Sequence, residues 1–116
     1  MPLLQLKTSA TLPKDQRASL LSSLSKALSQ ETGKPERYVM VVIDDGASVM
    51  MAGGEVSGAF VDVRGIGGLG GSVNKKLAQS ICGILQKECG ISPEAVYLNF
   101  TDVKAENWGF NNSTFG

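Results

Sequence analysis

The sequence predicts an α+β fold made of a doubled β-α-β unit, in which a four-stranded sheet carries two helices on one face. Two observations lead to this prediction. Short β-branched runs alternate with two longer stretches in which apolar residues recur at helical spacing. The two halves also repeat one order of features, because GKPERYVMV and GISPEAVYLNF each join a glycine and a Pro-Glu pair to an aromatic-bearing strand. Pro35 and Pro93 set the predicted offset at 58 residues (93 − 35), which places Phe60 opposite Pro2.

The first half begins with a strand and a helix. MPLLQL predicts a strand over residues 2–7, since proline is tolerated as the first residue of a strand. Pro13 and the Lys-Asp pair after it mark a helix start, and leucine and alanine then recur with a helical period over residues 14–31. Gly33 and Pro35 end this helix.

The next strand raises a question of burial. YVMVVI, residues 38–43, is apolar and β-branched throughout, which predicts a central strand buried on both faces. Two helices cover only one face of a sheet, and monomers rarely expose a large apolar patch. We therefore expect self-association into an oligomer to cover the second face. The alternative is that the loop DDGASVMMAGG folds back over it.

The second half repeats the pattern. FVDVR predicts a strand over residues 60–64, and the glycine-rich turn GIGGLG at 65–70 leads into a helix over 71–88. Gly90 ends this helix, and a strand and a loop-rich tail follow. GIGGLG fits the dinucleotide-binding fingerprint, but the acidic residue expected about 20 residues later falls at a helix end rather than a strand end. We interpret these glycines as a tight turn, and nucleotide binding is the weakest alternative.

The last long strand, VYLNF, separates its side chains by alternation. Val96, Leu98 and Phe100 share one face, which the helices are expected to cover. Tyr97 and Asn99 then project from the opposite face. Their hydroxyl and amide groups suit either hydrogen bonds across an interface or contacts with a substrate.

Length and composition limit the classes of function. The 116 residues predict a single domain, residues 1–116, and 42% hydrophobic content supplies its core. The 11 basic and 11 acidic residues balance without a basic stripe, so we expect neither a nucleic-acid partner nor a membrane surface. No apolar run approaches the ~18 residues of a membrane span, and no signal peptide is recognisable. We expect a cytoplasmic protein, with leaderless secretion left open.

The residues available for chemistry are unusual. The chain contains no histidine, which removes the most common general base, zinc ligand and partner of a nucleophile. Cys82 and Cys89 lie about 10 Å apart along the second helix, too far for a disulfide, and suit a reducing compartment. We expect no metal and no other cofactor. Any acid–base chemistry must therefore use a less common group, and Pro2 becomes a free secondary amine at a chain end if Met1 is removed.

Several motifs together resemble the macrophage migration inhibitory factor family of the tautomerase superfamily. They are the initial MP-L, TGKPERY, IGGLGGSVNK, GISPEAVYLNF and NWGFNNSTFG, and they span essentially the whole chain. The resemblance implies β-α-β-β-α-β subunits that assemble as homotrimers. It also implies keto–enol tautomerisation of phenylpyruvate-like α-keto acids and of dopachrome analogues. The alternative is a cytokine-like signalling module that binds a receptor and carries a vestigial pocket.

The resemblance also implies roles for individual residues. Pro2, freed by removal of Met1, takes the place of the family's catalytic base, and Lys34 that of its active-site lysine. An ordinary α-amino group titrates near ~7.7–8, and burial together with a nearby lysine cation lowers that pKa. Tyr97 and Asn99 are implied to come from a neighbouring subunit. The positions that match the family's substrate pocket are Lys34, Tyr38, Ile66, Tyr97, Asn99, Trp108, Phe110 and Phe115.

Departures from the family pattern bear on specificity. GAFV at 58–61 stands where the mammalian cytokine has C-x-x-C, so its proposed thiol chemistry has no residues here. Trp108 and Phe110 replace a small aliphatic residue and a tryptophan, which fills the pocket rim differently. Arg64 followed by glycine replaces a His-Ser pair. Thr101 replaces a tyrosine of the trimer channel, which weakens the case for receptor signalling.

Overall fold

The computed structural model describes all 116 residues, from Met1 to Gly116. It contains two long helices, a four-stranded sheet and two short hairpins. In chain order the elements are β1 (Leu3–Thr8), α1 (Lys14–Thr32), β2 (Met40–Asp44), β3 (Met50–Met51), β4 (Gly54–Glu55), β5 (Ala59–Gly65), α2 (Gly71–Cys89), β6 (Val96–Asp102), β7 (Gly109–Phe110) and β8 (Ser113–Thr114). Neither helix combines the length and apolarity that crossing a bilayer requires.

The main sheet has the strand order β2-β1-β5-β6. β1 pairs with β2, and β5 with β6, in parallel, whereas β1 and β5 pair antiparallel at the centre. Each half therefore contributes one parallel β-α-β unit, and the two units meet along the central pair. The predicted doubled β-α-β architecture is confirmed.

Both helices lie on one face of this sheet, as predicted. The side chains between the two layers are aliphatic and fully buried, and each contributes roughly 1.5–3 kcal/mol of transfer free energy. Those from the central strands are Leu4, Leu6, Val61 and Val63, and those from the helices are Leu20, Leu24, Leu28, Leu77, Ile81 and Leu85. This packing holds β1 and β5 in place at the centre of the sheet.

The predicted repeat offset of 58 residues is wrong by one. Both ends of α2 fall 57 residues after those of α1 (71 − 14 and 89 − 32), and buried Leu20 corresponds to buried Leu77. The error has a local cause. Pro35 precedes its short 3₁₀ turn, whereas Pro93 is the first residue of the matching turn. Pro2 therefore corresponds to Ala59 and not to Phe60.

The prediction for YVMVVI is also wrong, in position and in burial. Its first residue, Tyr38, belongs to a 3₁₀ turn, and the strand that follows lies at the sheet edge. Val41 and Ile43 contact the core, but Met40 is 62% exposed and Val42 is 37% exposed on the other face. A continuous apolar run is typical of central strands, but strand order depends on distant segments. The loop that includes β3 and β4 leaves Met40 and Val42 of this face exposed.

Candidate active site

A cavity of about 590 Å³ lies at the sheet end where the chain begins. Four segments converge on it: the chain start, the turn after α1, the end of β5, and the carboxyl-terminal tail. Nine of its 14 lining residues are hydrophobic. The lining residues are Met1, Pro2, Leu3, Arg37, Tyr38, Val39, Met40, Arg64, Val103, Asn107, Trp108, Gly109, Phe110 and Phe115.

The sheet itself fixes the start of the chain inside this cavity. The Pro2 carbonyl accepts a hydrogen bond from the Met40 N–H at 3.1 Å, and Leu3 pairs with both Met40 and Arg64. Pro2 is buried. A Cβ atom on Gly65 would lie 3.8 Å from the Met1 carbonyl oxygen, so the β5 end also contacts this peptide. Loss of Met1 moves the terminal amine by one residue, onto Pro2.

Lys34 is positioned by the end of α1. Gly33 adopts the left-handed conformation (φ 72°) that glycine tolerates best, and its N–H donates to the Ser29 carbonyl at 3.0 Å. The Ser29 hydroxyl donates to the Lys34 carbonyl at 2.6 Å, and the Lys34 N–H donates to Thr32 Oγ1 at 3.3 Å. The Lys34 side chain then extends along the loop after β5, where a Cβ atom on Gly68 would lie 3.1 Å from Lys34 Cε.

Burial and charge act on the terminal amine in the same direction. Burial lowers the pKa of the Met1 amine below its ordinary value of 8.0, because a cation loses hydration there. The positive charge of Lys34 lowers that pKa further. A larger fraction of the amine is consequently neutral near pH 7 than for a free chain end.

The carboxyl-terminal tail forms an aromatic wall on the cavity. Asn111 and Asn112 have positive φ values (51° and 66°) and turn the tail back on itself between β7 and β8. The rings of Phe110 and Phe115 stack with centroids 5.6 Å apart and planes 9° from parallel. The Phe115 N–H donates to the Trp108 carbonyl at 3.1 Å, which closes the tail against itself.

The glycine-rich loop between β5 and α2 uses its N–H groups internally. The Gly67 N–H donates to the Asp102 carboxylate at 2.8 Å, and the Gly70 N–H donates to Asn74 Oδ1 at 3.0 Å. Two N–H groups that a phosphate-binding loop would direct at its ligand are therefore bound to side chains of the protein itself. This geometry favours the interpretation of the glycines as a tight turn. No group of three or more histidine, cysteine, aspartate or glutamate side chains converges as a metal site would require.

The predicted site residues fall into three groups. Pro2, Tyr38, Trp108, Phe110 and Phe115 line the cavity. Lys34 and Ile66 are not among its lining residues, and the Lys34 side chain lies against the loop after β5.

Tyr97 and Asn99 do not reach this cavity within one chain. They project from the uncovered sheet face, beside Phe60 and Asp62 of β5, and Tyr97 is 68% exposed. The predicted alternation in VYLNF is thus confirmed. Their role at the cavity, implied to come from a neighbouring subunit, stays a prediction.

Sequence reasoning missed several lining residues, of which the arginines matter most. Arg37 lies in the turn after α1, with its guanidinium carbon 4.7 Å from the centroid of the Tyr38 ring. Arg64, noted only as a departure from the family pattern, forms an ion pair with Asp62 at 3.0 Å. One indication of this was present in the sequence: Arg37 lies next to Tyr38, and Arg64 lies two residues before Ile66, and both neighbours were predicted site residues.

The fold and the cavity define a small α+β protein whose candidate site is built around its own chain start. The family model for macrophage migration inhibitory factor matches residues 1–116, and the chain belongs to that family. It is 36% identical over 96 residues to macrophage migration inhibitory factor of Meriones unguiculatus, covering 83% of this chain and 84% of that one.

Solved structures agree with this assignment. The homologue from Prochlorococcus marinus has a TM-score of 0.93 at 36% identity, covering 98% of this chain and 99% of that one. The macrophage migration inhibitory factor-like protein from Entamoeba histolytica also has a TM-score of 0.93, at 30% identity and 98% coverage of each chain. The protein thus has the fold of that family, which is a fold of the tautomerase superfamily.

Proposed function

We propose that the protein is a keto–enol tautomerase of phenylpyruvate-like α-keto acids, with dopachrome analogues as further substrates. The general base is the amine of Pro2 after removal of Met1. One observation carries this proposal: the chain start lies in an aromatic-walled cavity where burial and Lys34 lower the pKa of the Met1 amine, and the Pro2 amine exposed by removal of Met1 lies at the same end of the cavity. No cofactor enters the scheme.

The lowered pKa suits proton abstraction. A general base works best when its pKa lies near the working pH, so that the neutral form is abundant and still basic. The Pro2 nitrogen takes the proton from the carbon next to the substrate carbonyl, and the electron pair of that C–H bond moves toward the carbonyl oxygen. The proton then returns to that oxygen, and the ketone becomes its enol. The reverse path converts enol to ketone.

The other groups bind the substrate and stabilise charge. Lys34 acts as a point charge for the substrate carboxylate. Trp108, Phe110 and Phe115 stack on the substrate ring and exclude water. Tyr97 or Asn99 of a second copy donates to the carbonyl oxygen as it gains negative charge.

This last role requires assembly, and we propose a homotrimer. The uncovered sheet face supports it, because large apolar side chains are exposed there in a pattern that monomers rarely show. Met40, Val42, Phe60 and Tyr97 are between 37% and 68% exposed. Light scattering after size exclusion tests the proposal, and a monodisperse monomer at micromolar concentration contradicts it.

We also propose a cytoplasmic location. Cys82 and Cys89 are free thiols, and burial raises the pKa of both, which keeps them protonated and little reactive. Free thiols are typical of reducing compartments. Fractionation of the source cells tests this, and recovery mainly in the medium contradicts it.

The proposed base is tested by intact mass together with a phenylpyruvate tautomerase assay. Forms with and without Met1 are a matched pair that differ at the chain end only, and activity is expected from the trimmed form alone. Insertion of one alanine between Met1 and Pro2 is expected to abolish activity. Turnover by the insertion variant at the original rate contradicts the role of Pro2.

The second candidate is a protein-binding signalling module, which the name of the Meriones unguiculatus relative supports. It predicts a defined protein partner whose binding does not change after the alanine insertion. A tautomerase-only protein shows the opposite: lost turnover and no such partner.

A further inference from the structure

We infer that Arg37 and Arg64 form a second anion-binding site on the cavity wall. Their position makes aromatic α-keto acids with an additional carboxylate on the ring the preferred substrates. This inference rests on the proposed function and narrows its substrate class.

The charge of the cavity wall is the first observation. Two arginines line the cavity and no aspartate or glutamate does, although the whole chain has 11 basic and 11 acidic residues. Lys34 adds a third positive charge near the chain start, close enough to act on the terminal amine. A monocarboxylate supplies one negative charge, which Lys34 alone can bind. Asp62 pairs with Arg64, but Arg37 has no carboxylate partner, so positive charge remains beyond what phenylpyruvate requires.

The second observation is that each guanidinium is held in place while keeping free donors. Asp62 accepts from Arg64 Nε at 3.2 Å and lies 3.0 Å from Nη2, both through its Oδ2 atom. These contacts leave both N–H groups of Nη1 available. The side chain of Asp62 is 14% exposed and that of Arg64 is 52% exposed, so the carboxylate fixes the arginine from the protein side.

Arg37 is held differently. Its guanidinium stacks on the Tyr38 ring at 4.7 Å, and its Nη2 donates to the Tyr38 hydroxyl at 3.4 Å. The two ion pairs of the chain are Arg17–Asp45 and Arg64–Asp62, so Arg37 has no carboxylate within 4.0 Å. A planar guanidinium with free donors beside an aromatic ring suits a carboxylate, which it can bind through two parallel hydrogen bonds.

The sheet register places both arginines around the chain start. Arg64 is the direct strand partner of Leu3, next to Pro2, and Arg37 lies in the turn that leads into Met40, the other partner of Leu3. A cavity of about 590 Å³ is large enough for an aryl α-keto acid with a ring substituent. The aromatic wall holds the ring, Lys34 the α-keto carboxylate, and the arginines the second carboxylate.

The test compares phenylpyruvate with 4-carboxyphenylpyruvate in wild type, Arg37→Gln and Arg64→Gln. We expect wild type to have the higher kcat/KM for the carboxylated substrate. Each substitution is expected to lower that kcat/KM about 5- to 20-fold, as loss of a partly exposed charge-assisted hydrogen bond does, and to change that of phenylpyruvate less than about twofold. Arg37→Lys keeps the charge and is expected to restore part of the loss.

Lys87→Gln is the matched control, because it removes one exposed positive charge on the last turn of α2, about 24 Å along that helix from its start. An equal loss for both substrates in the arginine variants overturns the inference, since the arginines then bind the group that the substrates share. Equal kcat/KM for both substrates in wild type also overturns it and leaves the proposed function intact.

A binding measurement separates the inference from the proposed chemistry. Calorimetry with 3-(4-carboxyphenyl)propanoate and 3-phenylpropanoate, which lack the reactive ketone, gives a ratio of Kd values without turnover. If wild type binds the dicarboxylate more tightly and Arg37→Gln does not, the result supports the arginine site. This conclusion holds even if no form of the protein turns over substrate and the proposed function is wrong. No preference in wild type overturns the site.

Discussion

Gly68→Ala is the substitution that most directly tests how the loop after β5 positions Lys34. Gly68 has a φ of +77°, where an L-residue is less stable by about 1–2 kcal/mol. Its new Cβ would also lie 3.1 Å from Lys34 Cε and 3.4 Å from the Thr32 carbonyl oxygen. The first distance is shorter than ordinary van der Waals contact. The lysine is the flexible partner, so we expect its side chain to move while the backbone stays.

Gly46→Ala is the matched control. Gly46 has nearly the same φ, +68°, but nothing lies within 4 Å of the added Cβ, and the residue does not line the cavity. Both variants are expected to lose about 1–2 kcal/mol of unfolding free energy through the backbone alone. Only Gly68→Ala also displaces Lys34, and we expect kcat/KM for phenylpyruvate to fall about tenfold, as misplacement of a substrate-binding group does.

Urea unfolding at one fixed protein concentration measures the first effect, since assembly makes apparent stability depend on concentration. Steady-state kinetics on the same preparations measure the second. Wild-type kcat/KM in Gly68→Ala, together with the expected loss of stability, refutes the argument that this loop positions the lysine. An equal loss of kcat/KM in Gly46→Ala refutes it as well, because general destabilisation then explains the result.

Three further predictions concern the amine, the aromatic wall and the core. Lys34→Gln removes a positive charge that, together with burial, lowers the pKa of the amine at the chain start. The pKa of that amine therefore rises, and the acid limb of kcat/KM against pH moves to higher pH; an unmoved limb contradicts this. Phe115→Ala is expected to lower kcat/KM for phenylpyruvate about 3- to 10-fold while leaving pyruvate, which has no ring, nearly unchanged. A parallel loss for both substrates argues against ring stacking. Leu24→Ala is expected to reduce unfolding free energy by about 2–5 kcal/mol in urea, because Leu24 is 0% exposed; a loss below 1 kcal/mol would show that the core relaxes around the cavity.

The helices could be predicted closely because their signals are local. Predicted bounds of 14–31 and 71–88 compare with Lys14–Thr32 and Gly71–Cys89. Gly33 and Gly90, both in the left-handed conformation at the helix ends, mark the stops within the sequence itself.

The errors concern relations between distant segments. β2 contains the most apolar run of the chain, but its place at the sheet edge follows from how β1 pairs with β5. The composition of the candidate site also depends on how distant segments come together. Pro2 and the aromatic residues were predicted to share it, whereas Arg37 and Arg64 join it because four separate segments converge.

The internal repeat has a consequence for where reactivity can arise. With an offset of 57 residues, Pro2 and Lys34 correspond to Ala59 and Ile91, which are 5% and 0% exposed. The scaffold is duplicated, but the second copy of the strand start lies inside a continuous chain and has no free amine. If the proposed function is correct, no amino-acid substitution can move the base to the second half, because the base is the amine of a chain end and not a side chain. A circular permutant that opens the chain before Ala59 has its terminal amine in the second half instead of the first. A purification tag fused ahead of Pro2 converts the Pro2 amine into an amide and is expected to abolish activity.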